Sequence, residues 1–336
     1  MTGVQTLSVS PDEAELRLDR WFRRRFPGMG HGRLSKLLRT GQVRVDGKRA
    51  DGALRLAAGM QIRVPPLDEK DLVPRAPAPA PKRAPDTKAV EALRNAVLYR
   101  DADVLIIDKP AGLAVQGGTG IDQSVDSMLD GLRFEAKERP KLVHRLDRDT
   151  SGVLVLARSS RAAKWLTAAF RARETEKVYW AVLQGVPKPA RGRIDIPLAK
   201  LPGPAGEKMI EDEDAGKRAV TYYTVLDRAA GRASWVALLP VTGRTHQLRA
   251  HCAALGTPIV GDGKYGGRSA FIEGPGIAKR LHLHARSIAL EGPDGRRVRA
   301  AASLPPHMAN TFKAFGFDPK EAPQDPFAEL GTEKVR

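Results

Sequence analysis

The sequence predicts an α+β protein made of a small basic N-terminal unit and a larger domain built on a mixed, mainly antiparallel β-sheet. Three observations carry that prediction. Thirteen Lys and Arg stand against three Asp between residues 16 and 65, so a net +10 of the chain's +17 falls in fifty residues. Seven of the 21 residues from 65 to 85 are proline, which fixes φ, removes donors and marks a boundary. Beyond it, short runs rich in β-branched and aromatic residues alternate with glycine- and charge-containing turns. The organisation expected is a basic unit at 1–65, a linker at 66–88, a sheet domain at 89–317 and a polar tail at 318–336, matching the two domains usual for 336 residues.

In the basic unit, Leu18, Trp21, Phe22 and Phe26 have helical spacing, and Leu34, Leu37 and Leu38 form the apolar stripe of a second helix. Val43-Arg44-Val45 then runs into Asp46-Gly47, a pair that favours a two-residue hairpin turn. Arg33, Lys36 and Arg39 recur every three residues off the leucine stripe, with no acid interleaved. A phosphate-binding face is expected there in preference to an ordinary solvated one. The linker core at 74–85 should be extended, reaching ~37 Å at ~3.1 Å per residue. In the larger domain, strands are expected at 104–107, 153–156, 178–183, 220–225, 235–239 and 281–290. Two helices stand out. One is capped at Ser159-Ser160 and turns Trp165, Leu166, Ala169 and Phe170 inward; the other runs from about 246 to 255 and stops at Gly256.

A net charge so far from zero speaks of partners, since it costs self-repulsion in the fold. Nucleic acid is the first candidate. No membrane association is expected, because wholly apolar runs such as 153–157 fall far short of the ~20 residues a span needs. Residues 1–12 contain no apolar segment of a secretory signal. Cys252 is the single cysteine, which rules out an internal disulfide and a cysteine-based zinc site. A cytoplasmic protein is expected.

The densest chemistry lies at His144-Arg145-Leu146-Asp147-Arg148-Asp149-Thr150-Ser151-Gly152, directly ahead of the apolar run Val153-Leu154-Val155-Leu156-Ala157. A loop that presents a carboxylate to an anionic substrate needs both signs of charge beside a buried strand; a simple connection does not. Asp147 has three chemical options: attack on an electrophilic carbon, proton transfer, or metal binding. The last is disfavoured, since no metal-ligand spacing accompanies it. Aspartates also cap turns, and Asp149, followed by Thr150-Ser151-Gly152, suits that role better than Asp147 does.

The stretch resembles the active-site loop of the RluA family of RNA pseudouridine synthases, whose nucleophile is the Asp of a His-Arg-Leu-Asp motif, here Asp147. Lys177-Val178-Tyr179-Trp180-Ala181-Val182 is similar to the family strand that carries the active-site tyrosine, which implies that Tyr179 lies against the target base and helps remove its C5 proton. Thr242-Gly243-Arg244-Thr245-His246-Gln247-Leu248-Arg249-Ala250-His251 resembles the third family motif, and implies that Arg244 pairs with the catalytic carboxylate. Such a cation would keep Asp147 ionised and oriented. The same likeness implies that Arg145 enters the RNA to support the everted nucleotide. Residues Arg17-Leu18-Asp19-Arg20 and Gly41-Gln42-Val43-Arg44-Val45-Asp46-Gly47 resemble an S4 RNA-binding domain. Asp108-Lys109-Pro110-Ala111-Gly112 and Gly117-Gly118-Thr119-Gly120 are most similar to members that modify large-subunit ribosomal RNA.

The resemblance implies isomerisation of specific uridines with no cofactor and no metal, by a monomer whose partner is RNA. It leaves three roles for Asp147: addition to the sugar, addition to the base, or deprotonation of the sugar. Other readings of these residues are a strand-core Tyr179 and a polar surface position for His282 and His284. The glycines at 117–120, which fit neither a dinucleotide fingerprint nor a phosphate loop, are read as a substrate loop. A catalytically silent RNA-binding assembly factor would account for the charge but not for Asp147, Tyr179 and Arg244 together. A glycosylase would release uracil.

Overall fold

The computed structural model describes residues 3–72, 86–118, 121–201 and 208–330. The chain falls into two units, Met1–Lys82 and Arg83–Arg336.

The first unit contains β1 (Gln5–Ser8), α1 (Leu18–Arg25), α2 (His31–Arg39), β2 (Arg44–Val45), β3 (Lys48–Arg49), β4 (Gln61–Val64) and α3 (Glu69–Leu72), with strands in the order β1-β4-β2-β3. Val45 pairs with Lys48 across Asp46 and Gly47, whose φ values of 48° and 75° are those of the expected tight hairpin. The aromatic spacing of α1 puts Trp21, Phe22 and Phe26 in one core, with Trp21 edge-on to both phenyl rings. Leu34 of α2 is buried against them, and Leu37 and Leu38 pack on the same cluster. The unit extends beyond 65. Leu67 is buried in its core and Asp71 is an ion-pair partner of Arg33, so 66–72 is folded structure, not linker. The proline-rich core expected at 74–85 lies outside the described residues.

The second unit runs through α4 (Thr87–Asn95), β5 (Val97–Arg100), β6 (Val104–Lys109), α5 (Val125–Met128), β7 (Lys141–Leu142), β8 (Ser151–Ala157), α6 (Ser160–Ala172) and β9 (Glu176–Gln184). It continues with β10 (Arg191–Asp195), β11 (Leu198–Leu201), β12 (Lys208–Glu211), β13 (Val220–Ala229), β14 (Ala233–Pro240), α7 (Gln247–Ala254), β15 (Leu283–Glu291), β16 (Arg297–Ala301) and α8 (Pro306–Phe315). Its main sheet has the order β10-β13-β14-β9-β15-β8-β6-β5, with β16 added to β15 and β7 to β8; β11 and β12 form a separate hairpin. Every pairing in the main sheet is antiparallel except β8 with β15.

That parallel seam matters for the site. Ala285 is in register with Gly152 on one side and with Tyr179 on the other, so the strand start that follows the Asp147 loop and the tyrosine strand stand in one row. They are two strand spacings of ~4.8 Å apart. Gly152 has φ +104°, and a Cβ there would lie 2.2 Å from the Ala285 carbonyl oxygen, so only glycine lets the strands close at this point. All seven residues of β8 are buried, as a continuous apolar run between two covered faces requires.

The six expected strands are present, five of them longer than expected and the sixth, β15, starting two residues later, and both expected helices form. Sequence reading missed α4 and α8. The second had a signal: Pro306 at its first position and Gly316 just past its end, at φ +78°. Its Met308 and Phe312 cover Trp180 and Trp235. The tail expected to be polar is packed as far as it is described, with Phe327 4% exposed in the same cluster as α8 and Leu330 against it. His282 and His284 are not surface residues. Both are fully buried; Thr311 and Ser151 hydroxyls meet one ring nitrogen of each, and backbone carbonyls the other. Among the described residues no helix is long and apolar enough to cross a membrane.

Candidate active site

The loop before β8 is held from three directions. The Val155 amide donates to His144 Nε2 at 2.8 Å, and the His144 ring stacks on Phe170 of α6 at 4.3 Å. Burial pulls the His144 pKa down to about 3, so it is a neutral acceptor that ties the loop to its own strand. The Thr150 amide donates to the Asp147 carbonyl and closes the turn. Lys109, fully buried at the end of β6, donates to the carbonyls of Pro110, Leu113 and Arg148 at 2.8–3.0 Å. Burial lowers its pKa to about 8, against the upward pull of Asp149 and Asp147. One ammonium thus fixes the loop backbone without engaging a carboxylate.

Asp147 faces a cavity of about 520 Å³ that is also lined by Arg145, Lys177, Tyr179, Arg244 and His246. It is the one carboxylate in that lining. An adjoining cavity of about 630 Å³ shares Arg145, Asp147, His246 and Arg249 with the first and adds Lys264 and Arg280. The structure therefore brings Asp147, Tyr179, Arg244 and Arg145 to one cavity. Burial, then the charge of Asp147, raises the Tyr179 pKa, so its phenol stays protonated. It offers a ring face and a donor.

Arg244 does not pair with Asp147. Its Nε donates to the Arg218 carbonyl at 3.2 Å, the side chain is exposed, and among the described residues no Arg244 ion pair forms within 4 Å. The arginine that shares the field of Asp147 is Arg249, five residues on. Arg249 donates Nε and an Nη to Asp262 at 2.7 Å each, in a fork where Asp262 is 1% exposed. Burial opposes its charge, but the hydrogen bonds and charge of Asp262, with Asp147 behind them, raise its pKa. Helix α7 explains why the sequence hides this. Six consecutive residues from Gln247 to Cys252 are buried, so no polar face distinguishes inside from outside.

The backbone between β14 and α7 is set by Gln247. Its Oε1 accepts from the Arg244 amide and the Thr242 hydroxyl, and its Nε2 donates to the Val220 carbonyl and to Thr221. The next residue back, His246, sits at φ +50° with Nε2 3.9 Å from an Asp147 oxygen. Tyr265 accepts from the Met209 amide and shares a hydrogen bond with His246 Nδ1, each at 2.9 Å, which orients the imidazole so that its Nε2 faces Asp147. Burial, against the pull of Asp147, lowers the His246 pKa. Sequence reading left His246, Gln247 and Arg249 unassigned although all three stand in the quoted motif.

Among the described residues no backbone amide donates to Asp149. Its nearest charged contact is Arg148 at 3.4 Å, and it lines the second cavity. In the first unit, Lys36 and Arg39 of α2 are exposed as expected. Arg33 is not available in the same way: it pairs with Asp68 at 2.9 Å and with buried Asp71 at 3.1 Å. Those acids lie beyond the segment in which acids were found absent.

Residues 103–254 match the family described as RNA pseudouridylate synthase. The chain is 36% identical over 307 residues to ribosomal large subunit pseudouridine synthase C of Salmonella typhimurium, covering 90% of this chain and 93% of that protein. An uncharacterized RNA pseudouridine synthase of Zymomonas mobilis is 45% identical over 226 residues, 67% of this chain and 99% of that one. Among solved structures, human RNA pseudouridylate synthase domain containing 4 superposes with a TM-score of 0.58 at 30% identity, covering 68% of this chain and 96% of that one. With an α+β catalytic domain and relatives matched over nearly their full length, the chain belongs to the RluA family of RNA pseudouridine synthases.

Proposed function

We propose that this enzyme converts specific uridines of large-subunit ribosomal RNA to pseudouridine, with Asp147 as the catalytic carboxylate. The observation that carries the assignment is that Asp147 is the single acid among the described residues lining a cavity that also holds, besides Arg244, the four arginines Arg145, Arg171, Arg173 and Arg249, the lysine Lys177 and the neutral phenol of Tyr179. The reaction is an isomerisation. The C1′–N1 bond breaks, the uracil turns, C5 bonds to C1′, C5 loses its proton and N1 ends with one, so no cofactor is called for. Tyr179 lies against the everted base, and Arg145, exposed at the mouth of both cavities, supports the RNA from which that base has left. Arg249, held in place by its fork with Asp262, is the cation whose charge interacts with Asp147 where Arg244 was expected to do so; Arg244 at the exposed rim is left to contact RNA.

The large-subunit assignment rests on the relatives named ribosomal large subunit pseudouridine synthase C, which align over nine-tenths of the chain. The first unit is read as an S4-type RNA-binding domain, with exposed Lys36 and Arg39 contacting phosphates and Arg33 steadying the helix that bears them. The domain plan is then an RNA-binding unit at 1–72, a proline-rich connection and a catalytic domain from 86. A cytoplasmic monomer is consistent with a single chain that holds both parts. Carbodiimide mapping of pseudouridines in large-subunit ribosomal RNA, from cells with and without the gene, tests the reading. Loss of one or more modified positions is expected; an unchanged map would overturn it.

A further inference from the structure

One part of the cavity lining is cationic and lacks a balancing acid. Lys177 and Tyr179 flank buried Val178 on β9, so both side chains leave the same face of the sheet, and both line the cavity. The Lys177 ammonium lies 5.8 Å from the centre of the Phe170 ring, the ring on which His144 stacks. Arg171 and Arg173, at the end of α6, border the same space. Among the described residues no carboxylate lies within 4 Å of Lys177, and the charge that acts on it most is the repulsive one of Arg173. A cation held against an aromatic ring and another cation, short of water and without a partner, is stabilised by any anion that enters.

We propose that Lys177, with Arg173, binds a phosphodiester oxygen of the RNA beside the everted uridine while Tyr179 lies against its base. The inference rests on the reading of Asp147 and Tyr179 given above and adds a phosphate subsite to it. Two residues along a strand span ~6.6 Å, so base and adjoining backbone are met by neighbouring side chains of one rigid element. In the free enzyme burial, then Arg173, lowers the Lys177 pKa to about 8, so its charge is lost as pH rises through that value. Of the other groups lining this cavity, burial keeps His144 neutral, lowers the His246 pKa against the pull of Asp147 and keeps the Tyr179 phenol protonated. Phosphate binding should therefore draw a proton onto Lys177.

The test uses the full chain and unmodified large-subunit ribosomal RNA transcript carrying C5-tritiated uridine. For Lys177→Met, KM should rise roughly tenfold or more with a smaller change in kcat. The slope of log kcat/KM against log salt should flatten by about 0.7–0.9, the share of one phosphate contact. Lys177→Arg keeps the charge without the titration, so it should restore KM and lose the decline in kcat/KM that wild type shows above pH 8. Lys109 also titrates near pH 8, which is why the wild-type and arginine profiles are compared rather than read singly. Unchanged KM and salt slope in Lys177→Met would overturn the subsite. If that variant does not fold, identical alkaline declines in wild type and Lys177→Arg would overturn it. An active Asp147→Asn enzyme would sink the underlying reading instead, whatever the Lys177 variants do.

Discussion

The loop around Asp147 and the cationic helix α2 are both short, rich in charge and readable from sequence, yet they handle charge in opposite ways. Around Asp147, charged groups are sunk into the fold: Lys109 on three carbonyls, Arg249 in a fork with Asp262, His144 neutral under a backbone amide. On α2, Lys36 and Arg39 stand in solvent and only Arg33 is anchored. The first arrangement fixes geometry and is costly to disturb, because a buried charge that loses its partner is left uncompensated. The second fixes little and leaves cations free to displace the counterions condensed on a polyanion. Catalysis needs the former; the RNA contact proposed for α2 needs the latter.

The largest expected effect comes from Asp147→Asn, which keeps the shape and removes the charge. Tritium release should fall by ~10³-fold or more while RNA affinity stays within about twofold. Asp149→Asn should be far milder, since Asp149 lies outside the lining of the main cavity. Appreciable turnover by the first variant, or equal loss in both, would show that the wrong carboxylate has been chosen.

Next comes Asp262→Ala, which strands Arg249 in the interior and should cost about 3–5 kcal/mol. Calorimetry should show the catalytic unit melting on the order of 10 °C lower, with activity reduced through Asp147. A change below about 1 kcal/mol would mean that the fork is not the rigid element described.

Acid should separate the two units as well. His282 and His284 are neutral and buried, with pKa values lowered to about 4 by burial. Between about pH 6.5 and 4 the unfolded chain binds the extra protons, so stability falls with falling pH, by up to roughly 2–3 kcal/mol per pH unit for the pair. In the first unit, hydrogen bonds from Arg25, with Trp21 behind them, hold Glu13 down to about 2. Its contribution is present above the ordinary glutamate range and is lost only as pH falls toward 2. Urea unfolding across this range, followed by probes in each unit, should show the catalytic unit failing first; simultaneous loss would erase the contrast.

The smallest effects belong to α2. Lys36→Ala and Arg39→Ala should leave stability within ~0.5 kcal/mol and each flatten the salt dependence of RNA binding by about 0.7–0.9. Arg33→Ala should do the reverse, weakening the unit by about 1–3 kcal/mol because Asp71 is left buried without its cation. Indistinguishable behaviour of the three would remove the division drawn between anchored and free charge.

What was legible in the sequence follows the same division. The Asp147 loop, β8, the hairpin at Asp46-Gly47 and the capped start of α6 are local patterns, in which neighbours in the chain supply the cause. The arginine facing Asp147 was misread because burial, not spacing, separates Arg244 from Arg249, and α7 has no amphipathic phase to reveal it. Arg33 was taken as free because its acids lie 35 and 38 residues away, past the presumed domain end. Phe327 and His284 are single residues whose burial is decided by strands and helices far along the chain.

The position of β15 in the sheet also bears on how the enzyme is made. It is the strand that lies between β8 and β9, yet it follows both in the chain by about a hundred residues. At 5–20 residues per second, a ribosome that has finished β9 needs roughly 5–20 s to deliver β15. Throughout that interval the apolar β8 has one edge without its final neighbour, and Asp147 and Tyr179 belong to separate halves of an open sheet. The nascent enzyme is therefore inert toward the RNA around it, and an unclosed sheet edge is the form most exposed to mispairing with other chains.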